Sequence, residues 1–77
     1  MGKYRHTVYV WGDDVYKLDR RALKEAAEAN VELCTDIGVT RQSVWNWIKG
    51  ATTPNDTLAV RLRERHPEVF AHVGVWA

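Results

Sequence analysis

The residues of this chain best suited to recognition chemistry lie between positions 41 and 49. Arg41, Gln42, Asn46 and Lys49 carry long polar ends and recur at the spacing of one helix face. Amide side chains form paired hydrogen bonds with adenine, and a guanidinium group does so with guanine, in the major groove of DNA. Lysine commonly contacts phosphate. These residues therefore offer hydrogen-bonded recognition of a nucleic acid.

The apolar residues of the same stretch predict the element that carries them. Val44, Trp47 and Ile48 are spaced i, i+3, i+4, which places them on the opposite face of a helix. Thr40 can cap the start of this helix through its hydroxyl group, and Gly50 can end it. The pattern predicts a helix over about residues 40–49.

A shorter helix is predicted just before it. Leu33 and Ile37 are four positions apart, and Gly38 follows where a left-handed residue would end a helix. Asn30 is positioned to cap the start of this helix, so we expect it to run over residues 31–37.

These two helices and their turn resemble the helix-turn-helix of Cro/repressor-type (lambda repressor-like) DNA-binding proteins, phage Cro-like proteins among them. The resemblance covers about residues 30–62, and the segment 47–50 with Pro54 is similar to the usual exit of the family's recognition helix. The positions that this family keeps apolar, small or glycine are matched by Leu33, Cys34, Ile37, Gly38, Val39, Val44 and Trp47.

The resemblance implies a sequence-specific regulator of transcription that binds double-stranded DNA. It implies a phage or prophage repressor that binds a palindromic operator as a homodimer and blocks polymerase by occlusion. The implied base contacts are Thr40, Arg41, Gln42, Trp45 and Asn46. The implied phosphate contacts are Asn30, Lys49 and Thr52.

Trp45 departs from the small polar residues that are common on such a reading face. It could touch a thymine methyl group or a sugar, pack against a terminal segment, or contact another protein. Three alternatives stay open: an excisionase-type architectural DNA-binding protein, a helix-turn-helix module for protein–protein binding, and an antitoxin-like autoregulator. Trp45 is the feature that keeps the protein-binding module open.

The remaining elements are predicted from local signals. A strand is expected over residues 6–11, and residues 15–18 form either its hairpin partner, which we favour, or the first turn of a long helix. Helices are expected over 20–27, capped by Asp19, and over 56–65, capped by Asn55. The apolar tail 69–76 could pair with 6–11 or with a partner chain.

The fold class expected is mainly α with a small β element. A four- to five-helix lambda-repressor-like core would carry an N-terminal strand or hairpin and a possible C-terminal strand. The 77 residues are expected to form a single domain, 1–77, with the helix-turn-helix at about 30–50.

Composition narrows the function classes. The net charge is only +1, but residues 37–55 contain Arg41 and Lys49 and no acidic residue. The single cysteine and the three scattered histidines lack ligand spacing, so we expect no metal, no cofactor, no small-molecule ligand and no enzymatic activity. No apolar run could span a membrane, so we expect a cytoplasmic protein of a bacterial host, nucleoid-associated when bound. Arg61, Arg63 and Arg65 are expected to be solvated.

Overall fold

The computed structural model describes residues 8–75 and contains four α-helices and a three-stranded antiparallel sheet. The element order is β1 (Val8–Trp11), β2 (Asp14–Leu18), α1 (Arg20–Ala29), α2 (Leu33–Ile37), α3 (Arg41–Lys49), α4 (Asp56–Arg65), a 3₁₀ turn (Pro67–Val69) and β3 (Phe70–Val75). Positions 6, 7 and 76 of the predicted strands lie outside the described residues. No helix among the described residues is long and apolar enough to cross a bilayer.

The hairpin prediction is confirmed, and the long first helix is wrong. Trp11 pairs with Asp14 across a two-residue turn, and Tyr9 pairs with Tyr16 further along. Gly12 has a φ of +64°, and no non-glycine residue among those described has a positive φ. This combination fits a type II′ turn, whose twist matches that of the flanking strands.

The C-terminal strand pairs with β2, so the first of its two predicted alternatives, pairing with residues 6–11, is wrong. The sheet order is β1-β2-β3, with Leu18 opposite Phe70 and a bulge opposite the step from Val15 to Tyr16. The 3₁₀ turn directs the chain there, because Val69 is fully buried and its carbonyl accepts a 2.8 Å hydrogen bond from the Asp19 amide. β2 is therefore the central strand.

The sheet packs against the helices through one face only. Tyr9, Leu18 and Phe70 project from this inner face into the same buried cluster as the helix residues Leu23 and Leu62. The residues that alternate with these along each strand point to the outer face, as Val8 and Val10 do on either side of Tyr9. Exposed aliphatic residues of the sheet are Val8, Val10, Val73 and Val75.

The start of α2 corrects one prediction. α2 begins at Leu33 after Glu32, which makes no side-chain capping bond, so Asn30 does not cap it. Asn30 instead ends α1, because both its backbone N–H and its Nδ2 atom donate to the carbonyl oxygen of Ala26. An amide that satisfies a free carbonyl at the end of one helix is not positioned to satisfy amides at the start of the next.

The other helix boundaries follow the predicted caps. Asp19, Thr40 and Asn55 each accept a hydrogen bond from an amide in the first turn of α1, α3 and α4. Gly38 and Gly50 have left-handed φ values of 77° and 85° at the ends of α2 and α3.

Arg61 and Arg65 are exposed, as expected, whereas Arg63 is half-buried. Arg61 and Arg63 also contact other elements. The Nη1 atom of Arg61 donates to the carbonyl oxygen of Ile37 at 3.4 Å, at the end of α2. The guanidinium carbon of Arg63 lies 4.6 Å from the centre of the Trp11 ring, a cation–π contact. These contacts join α4 to α2 and to the sheet.

Candidate nucleic-acid interface

α3 is held in place by the residues on its inner side. Val44 and Trp47 are 2% and 4% exposed and belong to the same buried cluster as Leu33 and Ile37 of α2. α1 packs beside α3, and Arg20 at the start of α1 meets Lys49 at the end of α3. The outward side of α3 is therefore presented on a fixed scaffold.

Thr40 fixes where this helix starts. Its Oγ1 atom accepts a 3.2 Å hydrogen bond from the Ser43 amide and lies 3.1 Å from the Ser43 hydroxyl oxygen. Thr40 and the first helical residues, Arg41 and Gln42, are all exposed. The first turn of α3 therefore has polar side chains directed to solvent on a capped helix end.

Gln42 and Asn46 act as one hydrogen-bonding unit. The Nε2 atom of Gln42 donates to Oδ1 of Asn46 at 3.2 Å, one helical turn away. This bond leaves the Gln42 carbonyl oxygen as an acceptor and the Asn46 amide group as a donor. The major-groove edge of adenine offers one donor and one acceptor, which groups of these two kinds can complement.

Arg41 and Trp45 border an apolar groove that α1, α2 and α3 form together. The groove has a volume of about 190 Å³, and Val31 and Cys34 also line it. Trp45 is 45% exposed and Val31 is 79% exposed. Trp45 is thus available for contact on the same side of α3 as Arg41.

The three predicted phosphate contacts are separated in space. Lys49 and Thr52 are exposed at the C-terminal end of α3, where the Thr52 amide also donates to the Asn46 carbonyl oxygen. Asn30 instead lines the groove together with Trp45. The structure therefore brings Asn30 close to the α3 face although its side chain is bound to α1.

Two basic residues of α1 were missed by the sequence analysis. Arg20 donates from Nη1 to the Lys49 carbonyl oxygen at 3.5 Å and packs against Gly50, where a Cβ atom would collide with its guanidinium group. Lys24, one turn further on, lines the groove with Arg41. Their i, i+4 spacing indicated that both lie on one face of α1. It did not indicate which helix that face would contact.

The charge at this surface is mainly positive. Arg41 and Lys49 belong to α3, and Arg20 of α1 lies beside its end. Glu28 is the acidic residue that lines the groove with Lys24 and Arg41. Among the described residues no cluster of three or more histidine, cysteine or acidic side chains could hold a metal ion. The arrangement is suited to binding an anionic partner through hydrogen bonds and charge.

No protein-family model, no curated protein and no solved structure matches this chain. What it binds must therefore be inferred from its own surface. The main feature of that surface is α3, a capped and well-packed helix with a polar outer side and basic residues on both flanks.

Proposed function

We propose that this protein binds double-stranded DNA in a sequence-specific manner, with α2, the turn at Gly38–Thr40 and α3 acting as a helix-turn-helix. One observation carries the proposal. The side of α3 opposite its buried residues presents arginine, amide and lysine groups, and no acidic residue occurs from position 37 to position 55. A helix of this kind fits the B-DNA major groove.

The hydrogen-bonding groups divide into two roles. The Gln42–Asn46 pair supplies the acceptor and donor for adenine, Arg41 can bond guanine, and Trp45 can pack on a thymine methyl group. Lys49 and Thr52 at one end of α3 can contact phosphates and set the register of the helix on the duplex. Arg20 and Lys24 of α1 add positive charge beside α3.

The regulatory role rests on the resemblance of residues 30–62 to the Cro/repressor-type proteins. We propose a Cro-like repressor of a phage or prophage that binds a palindromic operator as a homodimer. Two copies of α3 would occupy successive major grooves about 34 Å apart and exclude polymerase.

Fluorescence anisotropy on the DNA upstream of the protein's own gene tests the proposal. The double variant Gln42→Ala/Asn46→Ala is expected to lose affinity for the specific site by about 5- to 150-fold, because one bidentate base contact is worth about 1–3 kcal/mol. The control Thr57→Ala/Glu64→Ala changes exposed residues of α4 and should bind like the wild type. Equal, weak binding of wild type and double variant to any duplex would contradict the proposal.

The exposed groove favours a second candidate function, the binding of another protein. Trp45 and Val31 offer an apolar surface at its rim, and aromatic residues are enriched at protein interfaces. If this candidate holds, Trp45→Ala will weaken binding to a protein partner while wild type and Gln42→Ala/Asn46→Ala show no specific DNA binding. A fall in specific DNA affinity on Trp45→Ala would instead assign the groove to the DNA interface.

A further inference from the structure

A group of basic residues lies beside the C-terminal end of α3 without belonging to that helix. Lys17 of β2 and Arg20 and Arg21 of α1 line one shallow depression of about 390 Å³. Arg20 extends from this depression to α3, where its Nη1 atom donates to the Lys49 carbonyl oxygen at 3.5 Å. Lys17, Arg20 and Arg21, called the basic patch from here on, therefore adjoin the end of α3.

The positive charge of the basic patch is not neutralised by ion pairs. All three of its residues are exposed. The two ion pairs among residues 8–75 both involve histidine, so no lysine or arginine in that range is paired with a carboxylate. Asp19 is the acidic residue that lines the same depression, and its carboxylate caps α1 by accepting a 3.1 Å hydrogen bond from the Ala22 amide. The basic patch is therefore suited to bind an anion.

The position of the basic patch indicates which anion this is. In the proposed complex α3 lies in the major groove, and phosphate strands form the two sides of that groove. Groups just beyond the end of such a helix therefore meet the phosphate backbone rather than base edges. Lys49 and Thr52 occupy that end of α3, and the basic patch continues from it across α1 to the sheet. We propose that Lys17, Arg20 and Arg21 bind the phosphate backbone of the duplex that flanks the α3 site.

This contact rests on the proposed function and deepens it. The guanidinium group of Arg20 carries five N–H donors, so its bond to the Lys49 carbonyl oxygen leaves others for a phosphate oxygen. Phosphates are alike at every base pair, so the basic patch adds affinity on any sequence and leaves discrimination between sequences to α3. Affinity then depends on DNA beyond the base pairs that α3 reads.

Anisotropy titrations over a salt series test the basic patch. The variant Lys17→Gln/Arg21→Gln removes two charges and keeps Arg20, which bonds α3. Each lost phosphate contact lowers the slope of log K against log salt by about 0.9, so we expect a fall of about 1.8. The affinity deficit of the variant should therefore shrink about 12-fold when the salt concentration rises about fourfold. The ratio of its affinities for operator and scrambled duplexes should equal that of the wild type.

Arg63→Gln/Arg65→Gln is the matched control, because it removes the same two charges from α4. Its salt slope should equal that of the wild type. Ethylation interference locates the contact on the DNA. Ethylated phosphates outside the base pairs at which substitution weakens binding should impair the wild type and leave Lys17→Gln/Arg21→Gln unaffected.

The possible results separate the basic patch from the proposed function. A wild type without specific DNA binding contradicts both. If the wild type binds specifically but Lys17→Gln/Arg21→Gln keeps its slope, or loses no more slope than the α4 control, the basic patch does not contact the duplex. Absence of any sensitive phosphate outside the base-read pairs would likewise overturn the contact and leave specific binding by α3 intact.

Discussion

Tyr9 links the sheet to the segment that follows α3. Its hydroxyl group donates to the Pro54 carbonyl oxygen, and burial raises the pKa of Tyr9 above its usual value of 10.0. A hydrogen bond with Thr53 lowers this pKa, and the nearby Asp56 charge raises it. The folded protein therefore prefers the neutral phenol. The stability that this preference provides is fully present below pH 10.0 and is lost as the pH rises beyond it.

We expect Tyr9→Phe to lower the free energy of unfolding by about 1–3 kcal/mol near neutral pH, because it leaves the Pro54 carbonyl oxygen without its donor. The same variant should lose less stability than the wild type between about pH 9 and about pH 11. Urea unfolding at a series of pH values measures both effects. Tyr16→Phe keeps Tyr9 and should retain the alkaline decline; an identical decline in Tyr9→Phe would contradict the assignment.

At the residue scale, caps could be predicted and long-range partners could not. Asp19, Thr40 and Asn55 bond amides within their own helices, so each signal is local in sequence. Arg61 and Arg20 bond the carbonyl ends of helices 24 and 29 positions away. No spacing rule encodes such distances, which is why these arginines were not assigned to helix ends.

The turn between α2 and α3 depends on the conformation of one residue. Gly38 has a φ of +77°, and its amide bonds back to the last turn of α2. Gly38→Ala should destabilise the protein by about 1–2 kcal/mol, because a Cβ atom disfavours the left-handed region. Thermal unfolding checks this value.

Gly38→Asn provides the matched comparison, since asparagine tolerates the left-handed conformation better than alanine. A Cβ atom here would meet only an ordinary contact with Arg61, at 3.5 Å. Asparagine should therefore be less destabilising than alanine. If the two variants are equally destabilised, steric contact rather than backbone conformation limits this position.

At the element scale, the helices with a polar cap and an apolar stripe were placed within a residue or two. The start of α2 was predicted less well. Glu32 gives no side-chain capping signal, and Asn30 belongs to the end of α1. The outward side of α3 was predictable because its periodicity is local. The sequence did not predict that Arg20 and Lys24 of α1 would lie beside α3, because their position depends on how α1 packs against α3.

For the whole molecule, charge distribution rather than net charge should govern binding. Lys49→Gln is expected to weaken DNA binding on all sequences and to reduce the slope of log K against log salt by about one. Arg63→Gln removes the same charge at a site over the Trp11 ring. Arg63→Gln should leave that slope unchanged. Anisotropy titrations over a salt series measure both slopes. An equal fall in slope for the two variants would show that the duplex does not bind preferentially at the Lys49 end of α3.

The pairing of the sheet was the least predictable part of the fold. Both terminal strands are rich in apolar residues, so either could have paired with the other or with β2. The choice is made by the buried Val69 and by its bond to Asp19, which bring Phe70 beside Leu18. These contacts join residues far apart in the sequence, so no local pattern encodes them.

The place of β2 in the sheet also constrains the order of folding. Leu18 pairs with Phe70, and all four helices lie between them in the chain. The β1–β2 hairpin can form within about 1–10 µs, but closing a long loop to add β3 is intrinsically slow. Until β3 arrives, β2 is itself an open edge and Leu18 lacks its cross-strand neighbour. Aggregation during synthesis should therefore depend on how soon the last strand leaves the ribosome and docks.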